Sequence, residues 1–351
     1  MRTVLAAFIS IAALALAIAC WQVFEFTTSS AGTDSSPVIF DIPPGMGLNQ
    51  AARVLQQKGL VKDDFKFRLY ARFVYGSPRI KIGEYNLNQT MTVRQILDVL
   101  TQGQSIEYSV TVPEGYNMFE ITTLLNSRWP GRGDAFFKLV TNQQFVQSLL
   151  GEKRSSLEGY LFPDTYSITK YTQMEGLVRM MFQRFQEAYL KATVGAPIQM
   201  KRHEHVTLAS VIEKETGAPE ERPMIASVFH NRLMKKMRLQ SDPTIIYGIW
   251  VATQKEKMNI TKADILAPTP YNTYTTAALP VGPIANPGYE ALAAAVRPLV
   301  SENLYFVSRN DGTHVFTTTY EDHNKAVKSF QLNRQAREGK SWRDLQKRKA
   351  K

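Results

Sequence analysis

Glu215 continues an apolar helical stripe. In Leu208-Ala209-Ser210-Val211-Ile212-Glu213-Lys214-Glu215, a turn of about 100° per residue sets Leu208, Val211, Ile212 and Glu215 on one face and directs Glu213 and Lys214 elsewhere. A carboxyl held against apolar side chains loses hydration, and its pKa rises. Such a glutamate stays protonated near neutral pH and can act as a general acid. A stripe that simply ends in water has the same spacing, so periodicity leaves both readings open. Glu213 and Glu215 stand two apart on a helix, roughly opposed, and cannot form the acid and nucleophile pair of an ordinary glycosidase. A second carboxylate for hydrolysis would have to come from Glu158, Asp164 or Asp242.

The loops before and after this helix carry the other chemistry-bearing residues. Leu157-Glu158-Gly159-Tyr160-Leu161-Phe162-Pro163-Asp164-Thr165-Tyr166 mixes aromatics, carboxylates, Gly and Pro without clean periodicity and reads as a structured loop. Leu239-Gln240-Ser241-Asp242-Pro243-Thr244 and Tyr271-Asn272-Thr273-Tyr274 continue that character. Flat aromatic faces beside amides and carboxylates suit a sugar polymer. The candidate sugar contacts are therefore Glu158, Tyr160, Gln240, Asp242, Tyr271, Asn272 and Tyr274. The same loops also read as well-packed turns. His203-Glu204-His205 lacks the i, i+4 spacing of a helical zinc pair and reads as two solvated histidines before a helix. Gly339-Lys340-Ser341 lacks the earlier glycine of a phosphate loop, and no Gly-x-Ser-x-Gly elbow is present.

These residues must be positioned by a chain of 351 residues, 44% hydrophobic and 21% charged, which is enough for more than one core. The net charge of +11 suits an anionic neighbourhood such as phospholipid or an acidic wall polymer. No nucleic-acid motif accompanies it. The one cysteine, Cys20, lies in the hydrophobic N-terminal segment, which removes disulfide, thiolate and cysteine-metal chemistry from the rest of the chain. Val4 to Phe24 carries no charge and is long enough to span a bilayer. Arg2 precedes it, so the N-terminus faces the cytoplasm and the remainder lies outside. A cleaved signal after Ala17-Ile18-Ala19, or a lipoprotein signal ending at Cys20, competes with an uncleaved anchor; the apolar run past Cys20 favours the anchor.

The expected fold class is α+β, with an N-terminal transmembrane helix, a small βααβ subdomain and a larger, mainly helical catalytic domain. Residues 1–26 form the anchor, 27–37 a Ser/Thr/Gly/Asp linker, 38–104 the subdomain, 105–336 the catalytic domain and 337–351 a basic flexible tail. Strands are predicted at Val38 to Ile42 and Lys81 to Leu87. Helices are predicted at Leu48 to Lys58, Asp63 to Tyr75 (opened by Asp63 as N-cap) and Thr92 to Thr101. That first βααβ order is the pattern of the LysM sugar-binding fold, and equally of a generic α+β module. Ile42-Pro43-Pro44-Gly45 and Val112-Pro113-Glu114-Gly115 each lead into a helix, a two-copy echo. Pro223 to Lys236 reads as a helix with Ile225, Val228, Phe229 and Arg232 on one side, and after Leu239 the chain reads as loop-rich. A hairpin turns at Asn310-Asp311-Gly312, followed by a helix from Tyr320 to Arg334.

The order and length of these motifs resemble the endolytic murein transglycosylases of the MltG, or YceG-like, type. The resemblance is carried by the segments around Glu158, Glu213-Lys214-Glu215, Val228-Phe229-His230-Asn231-Arg232-Leu233, Ser241-Asp242, Tyr271 to Tyr274 and Leu279 to Gly288, and it covers nearly the whole chain. The family's catalytic glutamate matches Glu215. The early helix end at Thr216-Gly217 departs from the pattern. The resemblance implies a single-pass inner-membrane anchor, a LysM-like subdomain and a periplasmic domain that acts within nascent glycan strands near peptidoglycan synthases, without a cofactor. It further implies a mechanism in which one glutamic acid protonates the glycosidic oxygen and its carboxylate then takes the proton of the sugar's own C6 hydroxyl, leaving a 1,6-anhydro end. An older label for such chains, aminodeoxychorismate lyase, requires pyridoxal phosphate and does not suit an extracytoplasmic chain. A non-catalytic peptidoglycan-binding scaffold remains the alternative.

Overall fold

The computed structural model describes residues 11, 13–14, 17–18, 21–216, 218–257 and 259–333. Most of the expected anchor, Cys20, Gly217, Arg334 and the basic tail lie outside them. Among the described residues, no helix is long and apolar enough to cross a membrane. The chain is a mixed α+β protein that divides into two compact units. One comprises Met1–Val110 with Ser167–Gln173, and the other Thr111–Tyr166 with Met174–Lys351. The division thus falls a few residues beyond Ser105, and a later segment returns to the first unit. Within that unit, Lys170 Nζ donates to Asp41 at 2.7 Å and to Glu84 at 3.2 Å, and the Tyr171 hydroxyl donates to Asp41 at 2.8 Å.

The first unit follows the predicted order. Strand β1 (Val38–Ile42) is followed by helices α1 (Leu48–Gln57) and α2 (Asp64–Phe73), strand β2 (Gly83–Leu87) and helix α3 (Val93–Gln102). β1 and β2 pair antiparallel, from Val38 opposite Leu87 to Ile42 opposite Gly83. Alternation buries Phe40, Ile42, Tyr85 and Leu87 on one side, where they meet Leu55, Phe67, Ile96 and Leu97 from the helices. Asp63 caps α2 by accepting from the Lys66 amide at 2.9 Å, and Thr92 with Gln95 forms a capping box on α3.

Strand β3 (Tyr108–Thr111) pairs with β4 (Thr165–Ile168). Between them run helices α4 (Met118–Arg128), α5 (Arg132–Val140) and α6 (Gln143–Leu150). Asn117 and Glu120 close a capping box at the start of α4. Helix α7 (Met174–Thr193) leads to α8 (Arg202–Glu215), whose last residue is Glu215. Then follow a 3₁₀ turn (Pro219–Glu221) and helices α9 (Arg222–Met234), α10 (Asp242–Thr253), α11 (Lys262–Leu266) and α12 (Tyr289–Val296). The hairpin of β5 (Tyr305–Ser308) and β6 (His314–Thr317) pairs Phe306 with Phe316, and α13 (Tyr320–Val327) passes into a π-helical turn, Lys328–Leu332.

The structure corrects three expectations. Helix α8 is not amphipathic: every residue from His205 to Glu213 is buried, because α9, α10 and α12 all pack against it. His203 and His205 are accordingly not solvated residues ahead of a helix but part of α8. The His205 ring nitrogen Nε2 lies 2.7 Å from the Leu292 carbonyl, and His203 bridges the Tyr160 hydroxyl and the Val281 carbonyl. The chain after Leu239 is also more helical than its turn signals indicate. Asp242-Pro243 reads as a turn but supplies proline to the first turn of α10. The following Ile245-Ile246-Tyr247 and Ile249-Trp250-Val251 are β-branched or aromatic, which obscures helix in a single sequence.

Asn286 joins the loops of the second unit. Its side-chain carbonyl accepts from the amides of Gly159 and Leu161, both at 2.9 Å, and its amide donates to the Tyr116 carbonyl at 2.9 Å and to Glu158 at 3.0 Å. Gly159 makes this possible with φ of +86°, and a Cβ there would stand 2.5 Å from Pro283 Cβ and 2.8 Å from Val206 Cγ1. Gly159→Ala is therefore expected to lower stability by about 2 kcal/mol or more, since strain and overlap add. The shift of the denaturant midpoint measures it, and an unchanged midpoint contradicts this close approach of Gly159 to Pro283 and Val206.

Candidate active site

Glu215 ends α8 at the wall of a cleft of about 410 Å³. Its place is set by the turn before it. Glu213 is buried, receives Arg222 Nη2 at 2.6 Å and accepts from the Gly288 amide at 3.0 Å. Lys214 donates to the Gly115 carbonyl at 3.1 Å, and Thr216 takes an extended conformation that stops the helix. The two glutamates thus have different surroundings: Glu213 is enclosed in an ion pair, whereas Glu215 is partly exposed to the cleft.

Two interlocked loops bring polar groups to Glu215. The Gln240 amide donates to the Thr273 carbonyl at 3.2 Å, and the Ser241 amide donates to Thr273 Oγ1 at 3.0 Å. Thr244 and Thr273 share a hydroxyl hydrogen bond of 2.9 Å. This arrangement directs the Ser241 hydroxyl at Glu215, to which it donates. Gln240 adopts φ of +49°, an uncommon conformation for a residue with a side chain, at the cleft itself. Asp242 accepts from the Tyr274 hydroxyl at 2.6 Å, and both residues line the cleft.

The remaining lining comes from Arg232, the β5 strand and α13. Arg232 is buried and is anchored by the carbonyls of Leu304 and Leu239, at 2.6 and 2.7 Å, with its guanidinium 5.4 Å from the Tyr305 ring. His323 stacks on Tyr305 at 5.1 Å, and Tyr320 stands 5.9 Å from Tyr305. With Phe306 these residues provide an aromatic surface beside an acid, an amide and a guanidinium, a lining suited to a glycan.

Burial pushes the Glu215 pKa up to about 7; the Ser241 hydrogen bond opposes this, Asp242 adds to it and Arg232 opposes it. Burial likewise raises Glu158 to about 7, against the pull of the Met118 amide and the Tyr247 hydroxyl. Burial, reinforced by Arg232, lowers the pKa of His323. Both carboxyl groups favour their protonated form in the folded chain. Their contribution to stability is therefore complete below the unfolded carboxyl range, near pH 4.5, and is lost as pH rises through about 7.

Of the sequence-derived candidates, Glu215, Gln240, Asp242 and Tyr274 meet at this cleft. The others are placed elsewhere by the hydrogen bonds and ring contacts they make. Glu158 is 3% exposed and accepts from the Met118 amide at 3.0 Å, from Tyr247 at 2.8 Å and from Asn286. Tyr160 is buried against His203. Asn272 uses its amide to bond the carbonyls of Ile265 and Ala267 at the end of α11. Tyr271 packs edge-on against Tyr247 at 5.0 Å. Asp164 is paired with Arg184 at 2.7 Å. The cleft also holds Arg232, Tyr305, Phe306, Tyr320 and His323, and the buried Ser241 reaches Glu215 from behind it; sequence reasoning did not select these as site residues. Arg232 alone carried a signal: a cation on the apolar side of a predicted helix.

The fold is a mixed α+β one with an acid-bearing, aromatic-lined cleft, and comparison with known proteins gives the family. The model of the YceG-like family matches residues 40–329, and the chain belongs to that family. It is 31% identical over 311 residues to a Bacillus subtilis protein named endolytic murein transglycosylase, covering 84% of each chain. It is 30% identical over 323 residues to a Streptococcus pneumoniae protein of the same name, covering 83% of this chain but 58% of that longer relative. A crystal structure of a yceG-like protein from Listeria monocytogenes superimposes with a TM-score of 0.55 at 29% identity, over 83% of this chain and 99% of that one.

Sequence spacing turns Glu213 away from the apolar stripe, and the structure buries it in an ion pair with Arg222. Glu213→Gln leaves Arg222 without its closest carboxylate partner and should lower stability by about 3 kcal/mol. Glu213→Gln and Glu215→Gln should therefore separate in chemical denaturation, with only the former strongly destabilised. Equal midpoints contradict the assignment.

Proposed function

We propose that this chain is a peptidoglycan lytic transglycosylase that cleaves within nascent glycan strands, with Glu215 as its single general acid and base. The observation that carries the reading is the position of Glu215. It is a carboxyl at the end of a buried helix, partly open to a cleft with aromatic and polar lining and held by the Ser241 hydroxyl. Membership of the YceG-like family and relatives named endolytic murein transglycosylase support the coarser assignment, a murein transglycosylase.

In this reading the protonated Glu215 donates to the glycosidic oxygen between N-acetylmuramic acid and N-acetylglucosamine as the C1–O bond breaks. The resulting carboxylate accepts the proton of the muramic acid C6 hydroxyl, whose oxygen bonds to C1. The products are a strand with a free hydroxyl and a strand with a 1,6-anhydro end; no water is consumed. The C6 hydroxyl is tethered close to C1, which gives it a large effective concentration over water. Ser241 orients the carboxyl. Tyr305, Tyr320 and His323 offer ring faces for sugar rings, and Gln240 and Asp242 offer hydrogen bonds for hydroxyls.

Asp242 favours a second reading, hydrolysis, because it is another carboxylate in the same cleft. Its engagement by Tyr274 supports a binding role instead. The β1-α1-α2-β2 order suits a LysM-like, glycan-holding module in the first unit. Val4 to Phe24 suits a single-pass inner-membrane anchor with the rest of the chain periplasmic, beside the peptidoglycan synthases that supply nascent strands. A reporter enzyme fused after Lys351 and active only outside the cytoplasm tests that orientation; recovery of a mature form starting beyond Ala19 points instead to a cleaved signal.

Glu215→Gln keeps the shape of the side chain but cannot give and retake a proton, so strand cleavage should fall at least about a thousandfold with the fold retained. Mass spectrometry of digests should find muramic acid ends lighter by one water than hydrolytic ends. A dominant hydrated product would make the chain a hydrolase with Asp242 as base, and a folded, active Glu215→Gln variant would remove Glu215 from the mechanism.

The proton donor must be protonated at the start of the reaction. Cleavage should therefore hold below pH 7 and decline about tenfold per unit above the Glu215 pKa of about 7. The pH dependence of kcat/KM measures this, and a rate that rises through pH 8 contradicts an acid of that pKa.

A further inference from the structure

Helix α2 turns large apolar side chains to solvent. Phe65, Leu69 and Phe73 recur every four residues and are 58%, 41% and 73% exposed, while the opposite side of the helix buries Phe67 and Ala71 in the core of the first unit. Basic side chains flank the exposed stripe: Lys66 on one side, Arg68 and Arg72 on the other. Arg68 pairs with Asp64, the single acid within the helix, at 2.9 Å, so the net positive charge of the helix comes from Lys66 and Arg72. The Arg68 and Arg72 guanidinium groups stand 5.7 and 5.6 Å from the rings of Phe65 and Phe73. A stripe of aromatics and leucine bordered by cations matches a helix lying in the plane of an anionic lipid interface.

The position of this stripe is tied to the N-terminal segment. Helical residues 21–28 carry Val23 and Phe26, which line one groove of about 410 Å³ together with Phe65, Leu69 and Phe73. Phe26 also packs on the core of the first unit, so the chain leaving the apolar segment is fastened beside α2. Trp21 and Phe24 on the same segment are 68% and 69% exposed. If Val4 to Phe24 spans the bilayer, the exposed face of α2 is held at the bilayer surface.

We infer that the Phe65, Leu69 and Phe73 face of α2 is a second membrane contact, which seats on an anionic phospholipid surface where the anchor emerges. The inference rests on the anchor reading given above. It would restrict the tilt of the first unit over the membrane, which a single flexible tether would not.

The test uses the full chain reconstituted in vesicles of phosphatidylethanolamine and phosphatidylglycerol that contain a lipid-borne quencher. The native Cys20, labelled with an environment-sensitive fluorophore, reports on the anchor. Phe73→Cys in a Cys20→Ser background, labelled alike, reports on α2. Both labels should shift to shorter wavelength and lose at least half their emission. At position 73 the loss should disappear with Leu69→Asp, fall with Lys66→Glu combined with Arg72→Glu, and weaken in pure phosphatidylcholine. Quenching at Cys20 with an aqueous spectrum at position 73 overturns the inference and leaves the anchor reading intact; the stripe is then free to cover a protein partner. An unquenched Cys20 overturns the anchor reading and the inference with it. Quenching at position 73 that survives Leu69→Asp shows proximity by tethering alone and also overturns it.

Discussion

A buried ion pair fixes the end of the helix on which the cleft depends. Glu213 and Arg222 meet at 2.6 Å, each almost removed from solvent, and Glu213 also receives the Gly288 amide. Three parts of the chain are joined in this way: the last turn of α8, the first turn of α9 and the start of α12. Two charges withdrawn from water are tolerated only when each is well paired, so the pair imposes one geometry more than it adds stability. With that turn fixed, Glu215 can be the first residue of α8 past the enclosed stretch to meet the cleft. The contrast in surroundings between the two glutamates, two positions apart, follows from which one is satisfied internally.

A second polar centre serves the loops. Glu158 and Asn286 bind one another and together engage the backbone at Tyr116, Met118, Gly159 and Leu161. Loops without regular hydrogen-bond ladders must pair their buried amides and carbonyls by other means. Polar side chains in this family motif do that, and so do Asn272 and Thr273 on the far side of Ser241. Residue types suited to binding sugar are thus also suited to ordering loops. This is why composition alone assigned Glu158, Tyr160, Tyr271 and Asn272 to the ligand. Glu158 illustrates the ambiguity further: its pKa is raised as far as that of Glu215, by the same burial, yet it is outside the cleft.

The local architecture of the first unit was legible because its signals are local. Alternating Phe40 and Ile42, the Asp63 cap and the Thr92 box each act within a few residues, and the strands and helices follow them closely. In the second unit the same rules lose force. Helices α10 and α12 are apolar on most sides, so no stripe marks them, and the proline and glycine at their starts read as turns. The end of helix α8 at Glu215 matches the sequence reading while its start does not, and its apolar spacing belongs to a helix enclosed on every side, so any position before Glu215 looks equally suitable as core.

By itself the sequence determined the order of motifs, the family they resemble, the absence of cysteine chemistry after Cys20 and which of two neighbouring glutamates, Glu215, stands as the candidate acid. Those conclusions depend on residue identity and short spacing, which a linear chain carries in full. Only the tertiary structure decided what surrounds Glu215. Ser241 is 26 positions away, Arg232 reaches the cleft through carbonyls of Leu239 and Leu304, and the aromatic surface comes from β5 and α13 nearly a hundred residues later. Desolvation and hydrogen bonding act through space at a few ångströms, so the groups that set the acidity of a carboxyl are chosen by packing and leave no fixed spacing in the chain.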